Sequence, residues 1–311
     1  MKKLINYLLA ASISMLSIFI IFFTADIGFI DAQNRVNSYN NVNLIQANAL
    51  YIIIQEPLIF LIAGLLDLIG LLSYFSLQIS LLGILLILSI KILQERVIFL
   101  PIFMLIPNFA LLFFNTQAIA IALLISYAIL MTRFEIKLSP AAFLKDSFFL
   151  LVAIGFHWVS MIFIPILLIK HKRYNLIIIS TFGIGIFFSI ILTLINLDVL
   201  PKLNIYKDLL ESKNSVIHVH VTLLATLFFV FLNYIFRRNN LVINFHNLLF
   251  LYLVAIVIIS VEIFGYKAAS RLAFALDLWL LLDLLIFWLP YRLAKSKFIV
   301  SFRNKNHITY R

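Results

Sequence analysis

Between Phe148 and Lys170 the chain reads FFLLVAIGFHWVSMIFIPILLIK, a 23-residue run that is apolar until its closing lysine except for Gly155, His157, Trp158 and Ser160 at its middle. At about 1.5 Å per residue it measures about 34 Å, enough to cross a hydrocarbon core of about 30 Å. Length alone does not decide whether it crosses. Basic residues flank it on both sides, Arg133, Lys137 and Lys145 before and Lys170, Lys172 and Arg173 after, and cationic loops stay on the cytoplasmic side. The run therefore reads as two half-helices that enter and leave from one side, with His157 near the apex. Irregular backbone at that depth needs protein or a wet cavity around it.

Composition excludes a soluble domain. Of the 311 residues 64% are hydrophobic and 12% charged, with a mean hydropathy of +1.12. No polar run is long enough to fold separately, so residues 1–311 read as a single integral membrane domain, an all-α polytopic helical bundle. Cysteine is absent, which removes disulfides and thiolate chemistry. The net charge of +11 is topology signal, not a nucleic-acid surface: 18 of the 24 Lys and Arg fall in six stretches assigned to the cytoplasm. Arg35, Lys202, Lys207, Lys213, Lys267 and Arg271 fall on the other side.

Met1 to Phe23 opens with Lys2 and Lys3 and stays apolar too long for a cleaved leader, so it reads as the first span. Residues 24–56, rich in Asn and Asp, read as a first periplasmic loop of turns. Glu56-Pro57 then starts a short helix that dips in from the outer face, because proline is tolerated at a first helical position. Spans follow over 77–93, 97–114, 116–131, 175–195, 216–236, 241–264 and 268–291, with a second periplasmic loop at 196–215 and a basic cytoplasmic tail at 292–311. The count is eight spans plus two re-entrant elements, with both termini cytoplasmic.

Ionisable groups at membrane depth are costly, at about 2.5–3.5 kcal/mol at a helix centre, and each needs a reason. Lys267 and Arg271 are four apart at the outer end of the last span, which stacks two cations on one helix face. That pair suits a diphosphate; the plainer reading is snorkelling to headgroups. His157 can carry a proton, donate to a substrate, or tie the apex to a carbonyl. Glu56 and Asp31 can act as a base or bind sugar hydroxyls, or simply face solvent and a helix N-terminus. Asp277 and Asp283 read as satisfied within the bundle. His218 and His220, two apart, point to opposite faces, and no metal site or cofactor is expected.

Taken in order, several pieces resemble the EpsG-type branch of Wzy polysaccharide polymerases: Asp31 and Tyr39 in the first outer loop, Glu56-Pro57, the helix start NTQAIAIAL from Asn115, the apex FHWVSMIFIP from Phe156, and SRLAF from Ser270. The chain departs from that pattern in having Thr116 before the glutamine and Ser160, not residue 159, after the histidine. The resemblance implies a C-type glycosyltransferase fold in a bacterial inner membrane with the site facing the periplasm. It implies a metal-independent transfer of a growing glycan from undecaprenyl diphosphate to the non-reducing end of another lipid-linked repeat unit. Arg271 and Lys267 would hold the diphosphate, Gln117 and Tyr39 would orient sugar, and Glu56 or His157 would serve the acceptor hydroxyl. The expected partners are the undecaprenyl-diphosphate-linked oligosaccharide, membrane lipids, and a chain-length regulator and flippase of the same pathway. The competing class is a transporter or flippase for an anionic or lipid-linked substrate, to which a re-entrant hairpin with a buried histidine is also suited.

Overall fold

A computed structural model describes residues 30–45, 56–93, 116–131, 139–196, 213–237 and 241–288. The expected spans at 1–23 and 97–114, most of the second periplasmic loop and the basic tail lie outside them. The described residues form helices joined by turns, with no strand among them. They are α1 (Ile30–Ile45), α2 (Pro57–Leu68), α3 (Tyr74–Leu93), α4 (Gln117–Leu130), α5 (Pro140–Phe156), a 3-10 helix (Trp158–Phe163), α6 (Ile164–Lys170), a short 3-10 turn (Tyr174–Leu176), α7 (Ile177–Asn196), α8 (Lys213–Arg237), α9 (Leu241–Asp283) and a closing π-helical turn (Leu284–Trp288). Among the described residues three stretches, Tyr74–Leu93, Val216–Ile235 and Asn244–Glu262, are long and apolar enough to cross a membrane, and shorter apolar helices accompany them. Apolar side chains also cover much of the outer surface, among them Ile178 and Phe182 of α7 and Leu224, Phe228 and Phe231 of α8. That much exposed hydrocarbon suits lipid as the surrounding solvent.

Two features differ from the sequence reading. The expected loop at 24–56 contains the 16-residue helix α1. Asn and Asp favour turns in isolation, but here Tyr39 packs on Phe60 and its hydroxyl meets Asp67 on α2, so tertiary contact overrides a weak local preference. The helix entering the His157 break starts at Pro140, eight residues before Phe148. Ser139 caps it, its hydroxyl accepting from the Ala142 N–H at 3.1 Å, and Pro140 occupies a first-turn position.

The core is α4. All its residues except Ala128 are buried, and a helix buried on every side belongs at the centre of a bundle. Around it the chain doubles back twice. Asp146 of α5 bonds Lys170 at the end of α6 at 2.8 Å, whereas a continuous helix would set them about 36 Å apart. The reversal occurs at His157, whose backbone is extended. Likewise His246 lies 3.0 Å from Asp283, where an unbroken α9 would separate them by about 55 Å. That turn is at Gly265, at φ 78° and ψ 171°, a region only glycine adopts freely.

Polar ties fix the register of these hairpins on α4. Trp279 Nε1 donates to the Leu123 carbonyl at 3.2 Å and the Tyr127 hydroxyl to Asp283 at 3.3 Å. Both pairs have the same offset, so the second arm of α9 runs parallel to α4, with Gln117 level with Ala273. On the other hairpin Ser126 donates to Ser160 at 3.3 Å and Lys170 to the Ile129 carbonyl. Phe163 stacks on Trp279 at 4.6 Å and the Tyr252 hydroxyl donates to the Ile162 carbonyl at 2.8 Å, which joins the two hairpins.

Candidate functional site

Glu56 and Pro57 set the geometry of the site. Proline opens α2 without losing a hydrogen bond, and Glu56 before it adopts a left-handed conformation, φ 69° and ψ 71°. For a residue with a side chain this costs about 1–3 kcal/mol and persists where surrounding contacts over-determine it. Two such contacts are present. Arg35 Nε of α1 donates to Glu56 Oε2 at 3.0 Å, and His157 Nε2 lies 3.4 Å from Oε1. All three side chains are buried.

His157 is placed by the break between α5 and the 3-10 helix. Its Nδ1 accepts the Val159 N–H at 3.2 Å, so the neutral ring carries its proton on Nε2, toward Glu56. Trp158 stacks on the ring at 5.4 Å. The approach of α5 to α2 depends on Gly155: a Cβ there would lie 2.9 Å from Leu58 Cγ. Gly155→Ala is therefore expected to push the His157 apex off Glu56 and to cost about 1–3 kcal/mol of stability, measurable as a lowered melting temperature of the purified protein.

The other sequence-derived residues are distributed around this core. Gln117 begins α4 and is buried. Its amide donates to the Gln78 carbonyl at 3.3 Å, while its Oε1 has no hydrogen-bond partner among the described residues. A buried acceptor without a partner is uncommon in folded proteins and suits a donor on a ligand. The Tyr39 hydroxyl bonds Asp67 at 3.3 Å and lies against Gly64, one turn along α1 from Arg35. The structure brings together Glu56 and His157, adds Arg35, and places Tyr39 on the same pair of helices. Asp31 lies on the α1 backbone one turn before Arg35, and Lys267 and Arg271 lie on the α9 backbone just after Gly265; their side chains are outside the described set.

Heights along α4 relate these groups. His157 precedes Ser160 by three residues of 3-10 helix, about 6 Å, which puts it near the level of residue 122. The offset that pairs Trp279 with Leu123 sets Asp277 level with Ile121 and the Arg271 backbone two residues beyond Ala273, which is level with Gln117. Glu56, His157 and Asp277 thus share one layer to within about a turn, and Gln117 and Arg271 lie in the layer one to two turns above.

Compared with known protein families, curated proteins and solved structures, the chain matches none.

Arg35, Asp67 and the Asp146–Lys170–His171 group were missed as site residues. Arg35 had a signal: it is a cation on the outer side, spaced four from both Asp31 and Tyr39. Asp146 and Lys170 had no local signal, because their pairing exists only once the chain has doubled back. Asp146 also bonds His171 at 3.0 Å, so this triad closes the hairpin at the end opposite His157. Asp277 and Asp283 are satisfied inside the bundle, Asp277 by His218 at 2.7 Å and Thr222 at 2.8 Å, Asp283 by His246 and Tyr127. Among the described residues no group of three or more His and carboxylate ligands could hold a metal ion.

Proposed function

We propose that this chain is a membrane glycosyltransferase of the polysaccharide-polymerase kind. It would move a growing glycan from undecaprenyl diphosphate onto the non-reducing end of another lipid-linked repeat unit, at the periplasmic face of a bacterial inner membrane. The observation that carries the reading is the buried Arg35–Glu56–His157 cluster at the meeting of a short helix and an interrupted hairpin. A carboxylate held in place by a guanidinium and an imidazole N–H can accept the hydrogen bond of an acceptor hydroxyl and fix its direction. Gln117, whose Oε1 has no partner among the described residues, and Tyr39, bonded to Asp67, would orient sugar. Lys267 and Arg271, four apart on the helix after Gly265, would receive the charge that develops on the departing diphosphate. The hairpin return at His157 supports a re-entrant element there, and the short α2 supports a second. Eight spans in a C-type glycosyltransferase arrangement, with both termini cytoplasmic, complete the proposed architecture.

The glycan ladder of cells lacking the chain tests this. Deletion is expected to leave single-repeat products that wild type extends into a ladder, and Arg271→Ala at equal protein level is expected to shorten or abolish that ladder, a loss of about a hundredfold. An unchanged ladder would remove Arg271 from the mechanism. Loss of even the single repeat at the outer face on deletion would place the protein before polymerisation and replace the reading with a flippase.

A further inference from the structure

Among the described histidines, His157, His171, His218 and His246 each lie within 3.4 Å of a carboxylate. These pairs differ in what remains free. His157 has both ring nitrogens engaged, Nδ1 by the Val159 N–H and Nε2 by Glu56. Glu56 is itself neutralised by Arg35. Neither is well arranged to take up a proton.

His218 is arranged differently. Its Nε2 lies 2.7 Å from Asp277 Oδ2, and the Thr222 hydroxyl, one turn along the same helix, donates to Asp277 Oδ1 at 2.8 Å. With Nε2–H donated to the carboxylate, the neutral ring has its lone pair on Nδ1, and among the described residues that atom has no partner. Phe274 packs on the ring at 4.6 Å. The side chain is 15% exposed and Asp277 21%, so the pair is not sealed in the core. His220, two residues on, stacks on Tyr266 and turns its Nδ1 to the Val216 carbonyl at 2.8 Å, so a carbonyl and not a carboxylate orients it. Asp277 lies six residues after Arg271 on the same helical arm, in the layer of Glu56 and His157.

We infer that His218, held by Asp277 and Thr222, is the proton acceptor of the reaction. This is a carboxylate–imidazole–hydroxyl chain, in which the carboxylate fixes the tautomer and the imidazole takes the proton. It rests on the glycosyl-transfer reading. The acceptor hydroxyl oxygen bonds to the anomeric carbon as the bond from that carbon to the diphosphate oxygen breaks, the electron pair leaving with the diphosphate. The hydroxyl proton passes to His218 Nδ1 while Nε2–H stays on Asp277, and the imidazolium later loses the proton to water. On this assignment the base is His218 and not Glu56.

The test uses membrane vesicles containing the full chain, supplied with the lipid-linked single repeat that accumulates when the protein is absent. His218→Ala is expected to slow polymerisation about a hundredfold or more. Added imidazole should restore about tenfold of that rate, whereas pyrazole, of the same shape but a far weaker base, should not. Asp277→Asn, which keeps the ring but loses its orienting charge, should slow the reaction about tenfold or more with the protein at its normal melting temperature. Full activity of His218→Ala overturns the inference, as does a loss that imidazole does not restore or that pyrazole restores equally. If wild type makes no polymer from this substrate, the glycosyl-transfer reading fails; if wild type polymerises and Glu56→Gln does not, while His218→Ala is unimpaired, only the role of His218 fails.

Discussion

Lys170→Met is expected to remove about 3–5 kcal/mol of stability, the usual cost of leaving one member of a buried ion pair without its partner. Lys170 and Asp146 have side chains 4% and 8% exposed and meet at 2.8 Å. The lysine also donates to the Ile129 carbonyl, so its loss uncouples the hairpin from α4. Thermal unfolding in detergent, followed by loss of the monodisperse chromatographic peak, reads the effect. The double variant Asp146→Asn with Lys170→Met should recover most of the loss, because no uncompensated charge remains. Equal melting of Lys170→Met and wild type would show that the clasp contributes nothing.

If the chain is the proposed polymerase, Glu56→Gln is expected to abolish polymer, a loss of about a hundredfold or more, with a far smaller effect on melting than Lys170→Met. The amide preserves size and can still accept from Arg35, but it loses the charge that holds both the guanidinium and an incoming hydroxyl. The reverse change separates scaffold from chemistry. If Glu56 serves only to neutralise Arg35, then Arg35→Met with Glu56→Gln should regain activity along with stability; under the present reading it regains stability alone. Ladder length and melting temperature, measured on the same preparations, decide between them.

Much of this site was legible as local interruption. His157 breaks an apolar run, Glu56 precedes proline, Gln117 starts an apolar helix and Gly265 lies between two apolar stretches, and each of these marks a helix boundary in the structure. Boundaries announce themselves because capping chemistry and backbone restriction act over three or four residues. The pairings were not legible. Arg35 meets Glu56 across 21 residues and Lys170 meets Asp146 across 24; which cation finds which carboxylate depends on how the hairpins seat on α4. The Asn-rich stretch around α1 was misread for the same reason, since its helix is held by α2 and not by its own composition. Lys170 looked like part of a cytoplasmic basic flank, yet it is buried and paired.

The seating of the His157 hairpin also sets a timetable for biogenesis. Ile162 waits for Tyr252, 90 residues further on, and Phe163 waits longer for Trp279. At about 5–20 residues per second the ribosome needs roughly 5–20 seconds to deliver the first of these partners. During that interval the hairpin already has its earlier partners, Glu56 at His157 and α4 at Ser160 and Lys170, but not its ties to α9. The bundle is therefore closed last, when α9 supplies the hydroxyl and the indole that join its two arms to the His157 hairpin.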